Sequence, residues 1–394
     1  MTGWLLVALA AAILLIWTAR HFTLSAAQRR QEILSPASAP PVLPDPPRAS
    51  IIVPARNEAA NIADCLDSLT RQSYPNFEII VVDDRSSDST ADLVRRAAAT
   101  DPRIRLVQVA QLPPGWFGKA HALWTGAQAA AGDWLLFVDA DCRQAPHSLS
   151  AALGYTLARS GDLLSLWPLI DMHSFGENLI QPLCGSILAL YFRPAWVNDP
   201  KKKVAFANGQ FILIRRSVYQ AVGGHQALRD ELVEDIALAR LVKGRGYRLL
   251  NALGLDLFRT RMYDSLPAAW RGWTRIFSQA FRYPWLLAAV FFGVLLFSGS
   301  PFLLLVWGGL AAHAADFHDP LRNTLFALGL AQVVMMMSVL VRYSRMSRAE
   351  ARYLLFYPLS VLLVSGIIIN ALASRLGLAT VTWRGTAYRG RQRL

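Results

Sequence analysis

Two acidic residues, Asp139 and Asp141, directly follow the apolar segment WLLFV at residues 134–138. Such a segment predicts a buried strand, and residues i and i+2 of an extended chain point the same way. Two carboxylates on one face at a strand end provide the oxygen ligands that Mg²⁺ and Mn²⁺ prefer. An ion held there would neutralise negative charge on a diphosphate leaving group. A turn with two solvated acids has the same pattern, so the prediction depends on the surrounding elements.

A second acidic pair, Asp83 and Asp84, ends the apolar segment FEIIVV. A carboxylate in that position can accept hydrogen bonds from a nucleobase N–H or a ribose hydroxyl. One of the two could equally cap the helix predicted after the segment SSDST. The segment VPARNEAANI at residues 53–62 lies at the end of another predicted strand, and its backbone, with Pro54 and Glu58, could line the same pocket.

A third candidate is Lys119 in the segment LPPGWFGKAHAL, where glycines flank a predicted exposed residue, Trp116, and a helix is predicted to begin. Free backbone N–H groups at a helix N-terminus bind anions, and a lysine beside them adds a positive charge. The segment therefore suits a diphosphate, although an ordinary surface loop could have the same composition.

Glu234 and Asp235 stand near the start of the helix predicted for RDELVEDIALARLVKG. Acidic residues in the first turn stabilise a helix, so structural capping alone would account for the pair. A carboxylate here could instead act as a general base and take the proton of an attacking hydroxyl. Only one such group is required when a metal ion stabilises a diphosphate leaving group.

The elements that must position these residues alternate along residues 49–262. Apolar strands are predicted at SIIVPA, FEIIVVDD, IRLVQV and DWLLFVDAD. Helices are predicted between them, at residues 57–69, after an N-cap within residues 86–88, and at residues 119–131. This alternation indicates a mostly parallel sheet covered on both faces. Ligands of such sheets bind beyond the carboxyl ends of the strands, where both acidic pairs stand.

The composition points to a membrane-associated protein. Of the 394 residues, 54% are hydrophobic and 17% charged, and the formal net charge is +13. Because basic residues lie beside apolar segments and no helix-turn-helix or zinc-finger spacing occurs, the charge favours a membrane surface and phosphate over nucleic acid. Cys65, Cys142 and Cys184 form no CxxC pair, which predicts buried free thiols in a reducing compartment.

Apolar and proline-rich segments flank the α/β domain predicted for residues 48–262. Aromatic residues at helical spacing after this domain indicate an amphipathic helix, either on the membrane surface or packed in a core. The apolar segment that follows is too long for one straight span and breaks at SGSP, so it is either a kinked helix or a hairpin. The predicted flanking segments are an N-terminal transmembrane anchor (1–23), a Pro-rich linker (24–47), an amphipathic interfacial helix (263–283), a C-terminal transmembrane region of three or four segments (284–374) and a basic tail (375–394).

The positive-inside rule gives conflicting orientations for the C-terminal region. Arginines after the anchor place the N-terminus outside and the chain from residue 24 onward in the cytoplasm. The basic loop at residues 342–352 and the basic tail at residues 375–393 both favour the cytoplasm as well. One crossing between them cannot satisfy both. Either the segment at residues 353–373 re-enters through Pro358, or one loop violates the rule.

The ordered motifs together resemble glycosyltransferase family 2, whose members have the GT-A fold. The resemblance covers about residues 49–262, through SIIVPARNE, VVDDRSSDST, GWFGKAHAL, LLFVDADC, FANGQFILIRR, GGH and VEDIALA. LPPGWFGKAHAL, NGQFILIRRSVYQAVGGH, RMYDSL and VTWRGTAYRG are most similar to membrane lipid glycosyltransferases, the hopene-associated and ceramide-glucosyltransferase-like enzymes. The fold expected from this resemblance is a GT-A domain, which is α/β and Rossmann-like with a mostly parallel sheet, plus N-terminal and C-terminal transmembrane helices.

The resemblance also implies a role for each candidate residue. Asp235 would be the catalytic base. Asp84, with Asp83, would contact the nucleoside, and Lys119 would contact the phosphates. Asp139 and Asp141 would hold the metal cofactor, Mg²⁺ or Mn²⁺. The full set implied to bind the nucleotide sugar is Pro54, Glu58, Asp83, Asp84, Lys119, Asp139 and Arg275.

The function expected from the resemblance is inverting transfer of one sugar from a nucleotide sugar, with a UDP-sugar favoured, to a membrane lipid. The acceptor would be a hopanoid, a sphingolipid-like lipid or another isoprenoid lipid. Processive family members carry QxxRW where this chain has RGWTRIF, which favours single-sugar transfer. A processive polysaccharide synthase and a non-catalytic nucleotide-sugar-binding membrane protein are the alternatives.

The expected partners are the donor, the lipid acceptor and the bilayer, with no nucleic acid. The expected location is the cytoplasmic (inner) membrane, with several membrane spans and the catalytic domain facing the cytoplasm.

Overall fold

The computed structural model describes residues 2–29, 33–38, 45–281, 283–383, 386–389 and 392–393. The chain divides into two compact units. The sheet unit comprises Gln31–Asp171 and Ala189–Met262, and the helical unit comprises Met1–Arg30, Met172–Leu188 and Tyr263–Leu394.

Within the described residues, seven strands form the main sheet of the sheet unit and three form a smaller one. The strands are β1 (Ala49–Ala55), β2 (Phe77–Asp83), β3 (Ile104–Gln108), β4 (Trp134–Phe137), β5 (Cys142–Gln144), β6 (Leu163–Trp167), β7 (Leu169–Ile170), β8 (Ile212–Arg215), β9 (Leu249–Leu253) and β10 (Phe258–Thr260). The main sheet has the order β3-β2-β1-β4-β8-β6-β9, and the smaller one β5-β10-β7. In the main sheet β8 is antiparallel to both its neighbours, and the other neighbouring pairs are parallel. The predicted mostly parallel sheet is therefore confirmed.

Apolar residues on both faces of the central strands explain this sheet. Ile51 and Ile52 of β1 and Ile79 and Ile80 of β2 are fully buried, although successive side chains point to opposite faces. Both faces are therefore covered, as parallel sheets require.

Helices connect the strands and form most of the helical unit. In chain order they are α1 (Thr2–Arg29), α2 (Ile62–Thr70), α3 (Thr90–Thr100), α4 (Gly118–Ala129), α5 (Ser148–Ala158), α6 (Phe175–Tyr191), α7 (Pro194–Val197), α8 (Arg216–Ala221), α9 (Glu234–Gly244), α10 (Leu266–Ala280), α11 (Pro284–Val294), α12 (Ser300–His313), α13 (Pro320–Ser347) and α14 (Tyr357–Arg375). Short 3₁₀ helices cover Pro36–Ser38, Gly224–Leu228 and Ala351–Phe356.

The predicted start of the second helix at residue 57 was wrong, because α2 begins at Ile62. Asn57 has a φ of 55°, in the left-handed region, which a helix does not allow. Its side-chain oxygen accepts a hydrogen bond from the backbone N–H of Ser87 at 2.8 Å. The next backbone N–H, that of Glu58, donates to the Thr90 hydroxyl at 2.8 Å. These bonds hold the loop after β1 against the loop after β2 and prevent an earlier helix start.

The N-cap residue of α3 is Ser89, one residue beyond the predicted range of 86–88, and the side chain of the preceding Asp88 accepts hydrogen bonds at the helix start. Its Oδ1 accepts a hydrogen bond from the N–H of Thr90 at 3.0 Å, and its Oδ2 accepts one from the N–H of Ala59 at 3.1 Å. The carboxylate thus supports the helix terminus and ties it to the neighbouring loop.

Among the described residues, four helical segments are long and apolar enough to cross a membrane: Gly3–Leu24, Pro284–His313, Pro320–Ser347 and Ala351–Arg375. Apolar helices at both ends of the chain were predicted. In Pro284–His313, α11 and α12 are joined by the π-helical turn Leu295–Gly299, at the predicted break. A π-helical turn accommodates the break without reversing the chain, so this segment is one helix and not a hairpin.

The boundaries around the N-terminal anchor differ from the prediction. α1 continues to Arg29, beyond the predicted end at residue 23. In the predicted Pro-rich linker, Leu34 is buried and its N–H donates to the carbonyl oxygen of Leu253 at 2.8 Å. Linker residues 39–44 lie outside the described residues.

The predicted amphipathic helix is α10, which is shorter than the predicted range of 263–283. Two of its aromatic residues, Trp273 and Phe277, are buried. Gly366 of α14 lies against the ring of Trp270, so the apolar face of α10 packs within the helical unit.

The predicted basic tail contains three short antiparallel strands: β11 (Thr380–Trp383), β12 (Thr386–Arg389) and β13 (Gln392–Arg393). The predicted state of the three cysteines is confirmed, since Cys65, Cys142 and Cys184 are buried and free.

Candidate active site

The carboxyl ends of β1, β2 and β4 lie side by side at one edge of the main sheet. Ala55 at the end of β1 pairs with Asp83 of β2, and the N–H of Asp84 donates to the carbonyl oxygen of Ala55 at 2.8 Å. On the other side of β1, the N–H of Val138 donates to the carbonyl oxygen of Ile52 at 3.0 Å. The two acidic pairs therefore lie at the same edge, as the alternation of strands and helices predicted.

Lys119 lies at the centre of this edge, in the first turn of α4. Its Nζ is 2.8 Å from Oδ1 of Asp139, which follows β4, and 3.0 Å from Oε1 of Glu234, at the start of α9. Burial alone would lower the pKa of Lys119, but Asp139, Glu234 and Asp235 raise it above its ordinary value. The lysine therefore stays positively charged and joins three elements that are distant in the sequence.

Asp235 is held beside this lysine by two backbone N–H groups. Its Oδ2 accepts a hydrogen bond from Gly209 at 2.8 Å and its Oδ1 accepts one from Ile236 at 2.7 Å. A Cβ atom at Gly209 would lie 3.0 Å from Asp235 Oδ2 and 3.2 Å from Lys119 Nζ, so a glycine permits this close approach. Burial, together with the charge of Glu234, raises the pKa of Asp235 to about 6. Such a carboxylate can accept a proton near neutral pH.

The carboxylates of Asp139 and Asp141 concentrate negative charge at one part of the edge. Burial, the Asp139 carboxylate and the Glu58 carboxylate raise the pKa of Asp141 to about 7. Lys119 offsets only part of this negative charge, so the pair favours an additional cation. Among the described residues no group of three His, Cys, Asp or Glu side chains is arranged around a common metal position. Two carboxylates fit a divalent ion that takes its other ligands from water and substrate phosphates.

Asp84 is buried between cations and the start of α4. Its Oδ1 is 2.8 Å from Nε of Arg85, and its Oδ2 is 4.0 Å from Nη1 of Arg56. Gly118 at the first position of α4 contacts the same carboxylate. Arg85 has a φ of 59°, a conformation that costs energy and is found at functional loops. The acid therefore lies beside the helix terminus that was predicted to bind phosphate.

Asp83 has a different environment from Asp84. One of its oxygens accepts a hydrogen bond from the N–H of Ser86 at 3.2 Å, and the other accepts one from Gln108 Nε2 at 3.2 Å. One oxygen thus supports the loop after β2, and the other ties the end of β2 to the end of β3. The start of α3 is supported by Asp88 and not by Asp83, so Asp83 does not play the predicted capping role.

The remaining predicted residues occupy varied positions. Pro54 lies within β1, paired with Val82, and Glu58 follows that strand with its carboxylate accepting from Asn61 Nδ2 at 3.0 Å. Arg275 lies on α10, in the helical unit. Trp116, predicted to be exposed, is half-buried against Trp124 and His121, with ring centroids 5.4 Å and 5.1 Å away.

Two residues of the site had no predicted role in it. Gly209 positions Asp235, and Glu234 pairs with Lys119. Glu234 was considered only together with its neighbour, because adjacency does not reveal which of two acids faces a distant lysine. Gly209 lies in the segment FANGQF, where a glycine between polar residues was the available signal.

Comparison with known proteins places residues 50–223 of the chain in a family. This range matches the model of Glycosyl transferase family 2. These residues are therefore similar to the domains of family 2 glycosyltransferases. The family 2 domain contains Lys119, Asp139 and Gly209 and ends before Asp235.

Relatives of known name match a longer part of the chain. The 4,4'-diaponeurosporenoate glycosyltransferase of Staphylococcus aureus (strain MRSA252) is 29% identical over 230 residues, which cover 57% of this chain and 60% of that protein. The protein of the same name from strain USA300 is 28% identical over the same length. The match thus spans 60% of the length of these curated relatives.

A solved structure shows the same fold. It is the mannosyltransferase PcManGT from Pyrobaculum calidifontis, in complex with GDP-Man and Mn²⁺. The TM-score is 0.52 at 20% sequence identity, and the alignment covers 94% of this chain and 99% of that chain. The likeness shows that the chain has the GT-A fold, as predicted.

Lys119→Met is expected to lower the free energy of unfolding by about 1–3 kcal/mol, because two partly or fully buried carboxylates lose their shared cation. The exposed Lys201→Met serves as the control and should change stability by less than about 0.5 kcal/mol. Urea unfolding of the full chain in detergent, followed by tryptophan fluorescence, measures both. Equal stability of the two variants would show that the ion pairs do not hold these elements together.

Proposed function

We propose that the chain is an inverting glycosyltransferase that moves one sugar from a nucleoside diphosphate sugar to a membrane lipid. The observation that carries the proposal is the position of Asp235, held beside Lys119 and Asp139 at the carboxyl edge of a family 2 domain. This arrangement supplies a proton acceptor next to charges suited to a diphosphate.

The chemistry follows from the separate environments of the residues. Asp235 takes the proton of the acceptor hydroxyl as the hydroxyl oxygen attacks the anomeric carbon of the donor sugar. The bond between that carbon and the phosphate oxygen breaks, and the nucleoside diphosphate leaves with its electron pair. Attack opposite the leaving group inverts the anomeric configuration. Lys119 places a fixed positive charge near the departing phosphates and needs no rearrangement during the reaction.

The donor would bind along the same edge. Asp84 would accept hydrogen bonds from the nucleoside, while Pro54 and Glu58 would line the pocket. Asp83 would act through the loop that it supports. Arg275 remains a proposed contact for the diphosphate.

The carboxylates of Asp139 and Asp141 would hold Mg²⁺ or Mn²⁺. A divalent ion there would supply charge neutralisation for the diphosphate. Burial and the neighbouring Asp139 and Glu58 carboxylates raise the pKa of Asp141, and this concentration of negative charge supports the assignment. The Mn²⁺ and GDP-Man in the complex of PcManGT also support it.

A lipid acceptor is supported by two observations. The relatives are named for 4,4'-diaponeurosporenoate, a carboxylate, and the described part of this chain has four apolar helices of membrane-crossing length. A multi-pass protein of the inner membrane, with the sheet unit in the cytoplasm, would meet both soluble donors and membrane acceptors.

The direct test is release of nucleoside diphosphate by the purified full-length protein. UDP- and GDP-sugars would be supplied with Mn²⁺ or Mg²⁺ and a bacterial lipid extract, and the lipids would be examined by mass spectrometry. A lipid heavier by one sugar residue, formed only when the divalent ion is present, is the expected product. Turnover of none of the donors, despite measurable nucleotide binding, would favour a non-catalytic protein.

Asp235→Asn is expected to reduce transfer by at least about 100-fold, because the amide cannot accept the proton. Binding of the nucleoside diphosphate, measured by calorimetry, should change less than threefold. The exposed Glu231→Gln, four residues earlier, is the matched control and should keep full activity. If Asp235→Asn transferred sugar as fast as Glu231→Gln, Asp235 would not be the catalytic base.

The rate should depend on the protonation of Asp235. Since only the ionised carboxylate accepts a proton and its pKa is raised to about 6, the turnover number should fall as the pH is lowered through about 6. Below that value the decline should approach about tenfold per pH unit, with a plateau above it. Initial rates at saturating donor and acceptor between pH 5 and 8 measure the profile. A flat profile across pH 5–7 would contradict this role.

A further inference from the structure

The apolar segment Ala351–Arg375 lies between two basic stretches. Arg345, Arg348 and Arg352 lie at or beyond the end of α13, and Arg375 begins the basic tail. Basic residues remain preferentially on the cytoplasmic face of a membrane. A complete crossing by this segment would place the two stretches on opposite faces, so its path decides the topology.

The other apolar helices define the two ends of the helical bundle. α12 and α13 are antiparallel, because Gly308 packs against Phe326 while the earlier Leu305 packs against the later Gly329. The end of α13 therefore lies at the same end of the bundle as the start of the helix Pro284–His313. We call this the arginine end.

α1 has the same direction as α13. The side chain of Gln332 donates to the carbonyl oxygen of Ala10 at 2.7 Å, and the hydroxyl of Ser338 is 2.8 Å from Nδ1 of His21. The later residue of α1 contacts the later residue of α13, so the two helices are parallel. The C-terminal part of α1 also lies at the arginine end.

α14 begins near the middle of the bundle. The hydroxyl of Tyr357, its first residue, donates to the hydroxyl of Ser298 at 3.1 Å. Ser298 lies in the π-helical turn near the middle of the 30-residue helix Pro284–His313. One turn later, a Cβ atom at Gly299 would lie 3.6 Å from Val361.

The rest of α14 returns to the arginine end. Gly366 contacts Trp270, and Nδ2 of Asn370 is 3.4 Å from the hydroxyl oxygen of Thr274. Both partners lie on α10, which directly precedes Pro284 in the chain. α14 therefore runs from the middle of the bundle back to the end at which α13 finished.

The segment before α14 has a length that fits a partial entry. The 3₁₀ helix Ala351–Phe356 spans about 12 Å at roughly 2.0 Å per residue, less than half of a hydrocarbon core. Ala351–Arg375 is also the most enclosed of the four apolar segments. In an 18-residue stretch of it 44% is buried, against 11%, 17% and 28% of equal stretches of the other three segments. Protein rather than lipid surrounds much of it, as is required of a segment that turns inside a membrane.

We propose that Ala351–Arg375 is a re-entrant segment, which enters and leaves the bilayer at the arginine end. The chain then crosses the membrane three times, through α1, through Pro284–His313 and through α13. The basic loop and the basic tail lie on one face, together with the chain that follows α1. This path satisfies the positive-inside rule at every basic stretch named above.

Cysteine labelling in sealed vesicles tests the path with the full-length protein. Glu350→Cys and Leu378→Cys place thiols on either side of the segment, and Asp316→Cys places one in the loop between α12 and α13. A membrane-impermeant maleimide should label the first two from one face and the third from the other. The wild-type chain, with its three buried cysteines, is the background control.

Labelling of Glu350→Cys and Leu378→Cys from opposite faces would establish a complete crossing and overturn the proposal. Labelling of all three from one face would also overturn it, because α13 would then not cross. Neither result depends on the glycosyltransferase function, which can succeed or fail independently.

The re-entrant segment forms one wall of a cavity within the helical unit. The cavity has a volume of about 30 Å³, enough for a polar group of about the size of a water molecule, and α6 and the end of α13 form its other walls. Hydroxyl groups of Ser186, Tyr343, Tyr353 and Ser360 line it together with apolar side chains such as that of Leu183. Hydroxyls beside aliphatic walls suit an amphiphilic molecule with one polar end.

We infer that this cavity binds the hydroxyl end of a long-chain alcohol from the membrane. The hydroxyl groups hydrogen-bond the polar end, and the chain leaves along the aliphatic wall into the bilayer.

A photoactivatable diazirine analogue of hexadecanol, in phosphatidylcholine vesicles, probes the cavity directly. Labelled peptides should come from residues 178–186 and 340–360. Ser186→Leu fills the cavity and should reduce this labelling at least fivefold. Gly185→Leu adds the same side chain at a neighbouring position with open space around it, and should leave labelling unchanged.

Equal labelling of the two leucine variants would overturn the inferred site, as would labelling of the wild type confined to other peptides. Competition by unlabelled hexadecanol in the wild type gives the same information without a substitution, and its absence would also overturn the site. Failure of the proposed function would appear separately, as absence of sugar transfer by a wild-type protein that still labels.

Discussion

The position of Lys119 between Asp139 and Glu234 is the interaction on which the candidate site depends. The three residues come from the start of α4, the end of β4 and the start of α9, and their charged atoms lie within 3.0 Å of the lysine nitrogen. The single positive charge of Lys119 compensates only part of the negative charge of Asp139, Glu234 and Asp235, so the edge of the sheet has an excess of negative charge. Burial, together with that excess, raises the pKa of Asp141 and of Asp235. In the proposed mechanism the first of these acids holds a cation and the second accepts a proton.

The loops carry the site because the strands beneath them are rigid. β1, β2 and β4 are buried on both faces, and each ends in a loop at the same edge. A hydrogen bond between the first two loops supports the left-handed conformation of Asn57, and Arg85, paired with the buried Asp84, also has a left-handed conformation. The backbone strain is therefore held by neighbouring loops, and it places Glu58 and Asp84 at the ends of adjacent strands.

The sequence predicted those parts of the fold and site that depend on local pattern. Apolar runs located the strands, and the order of the strands placed Asp84, Asp139 and Lys119 at one edge. The start of α2 could not be predicted, because the groups that prevent an earlier start lie about thirty residues away in the chain. The pairing of Glu234 with Lys119 was hidden for the same reason. Segment length identified the apolar helices, but only contacts such as that of Tyr357 with Ser298 revealed the depth of α14.

The matched range of the family 2 domain ends before the proposed base, and one hydrogen bond links the two. Gly209 lies inside residues 50–223, and its N–H donates to Asp235, which lies outside them. Because a Cβ atom at Gly209 would crowd the ends of the Asp235 and Lys119 side chains, this glycine lets Asp235 lie close to the lysine. The helix α9 therefore belongs to the candidate site although it follows the matched range. The end of the matched range is not the end of the candidate site, since the position of Asp235 is set by the backbone of Gly209 within that range.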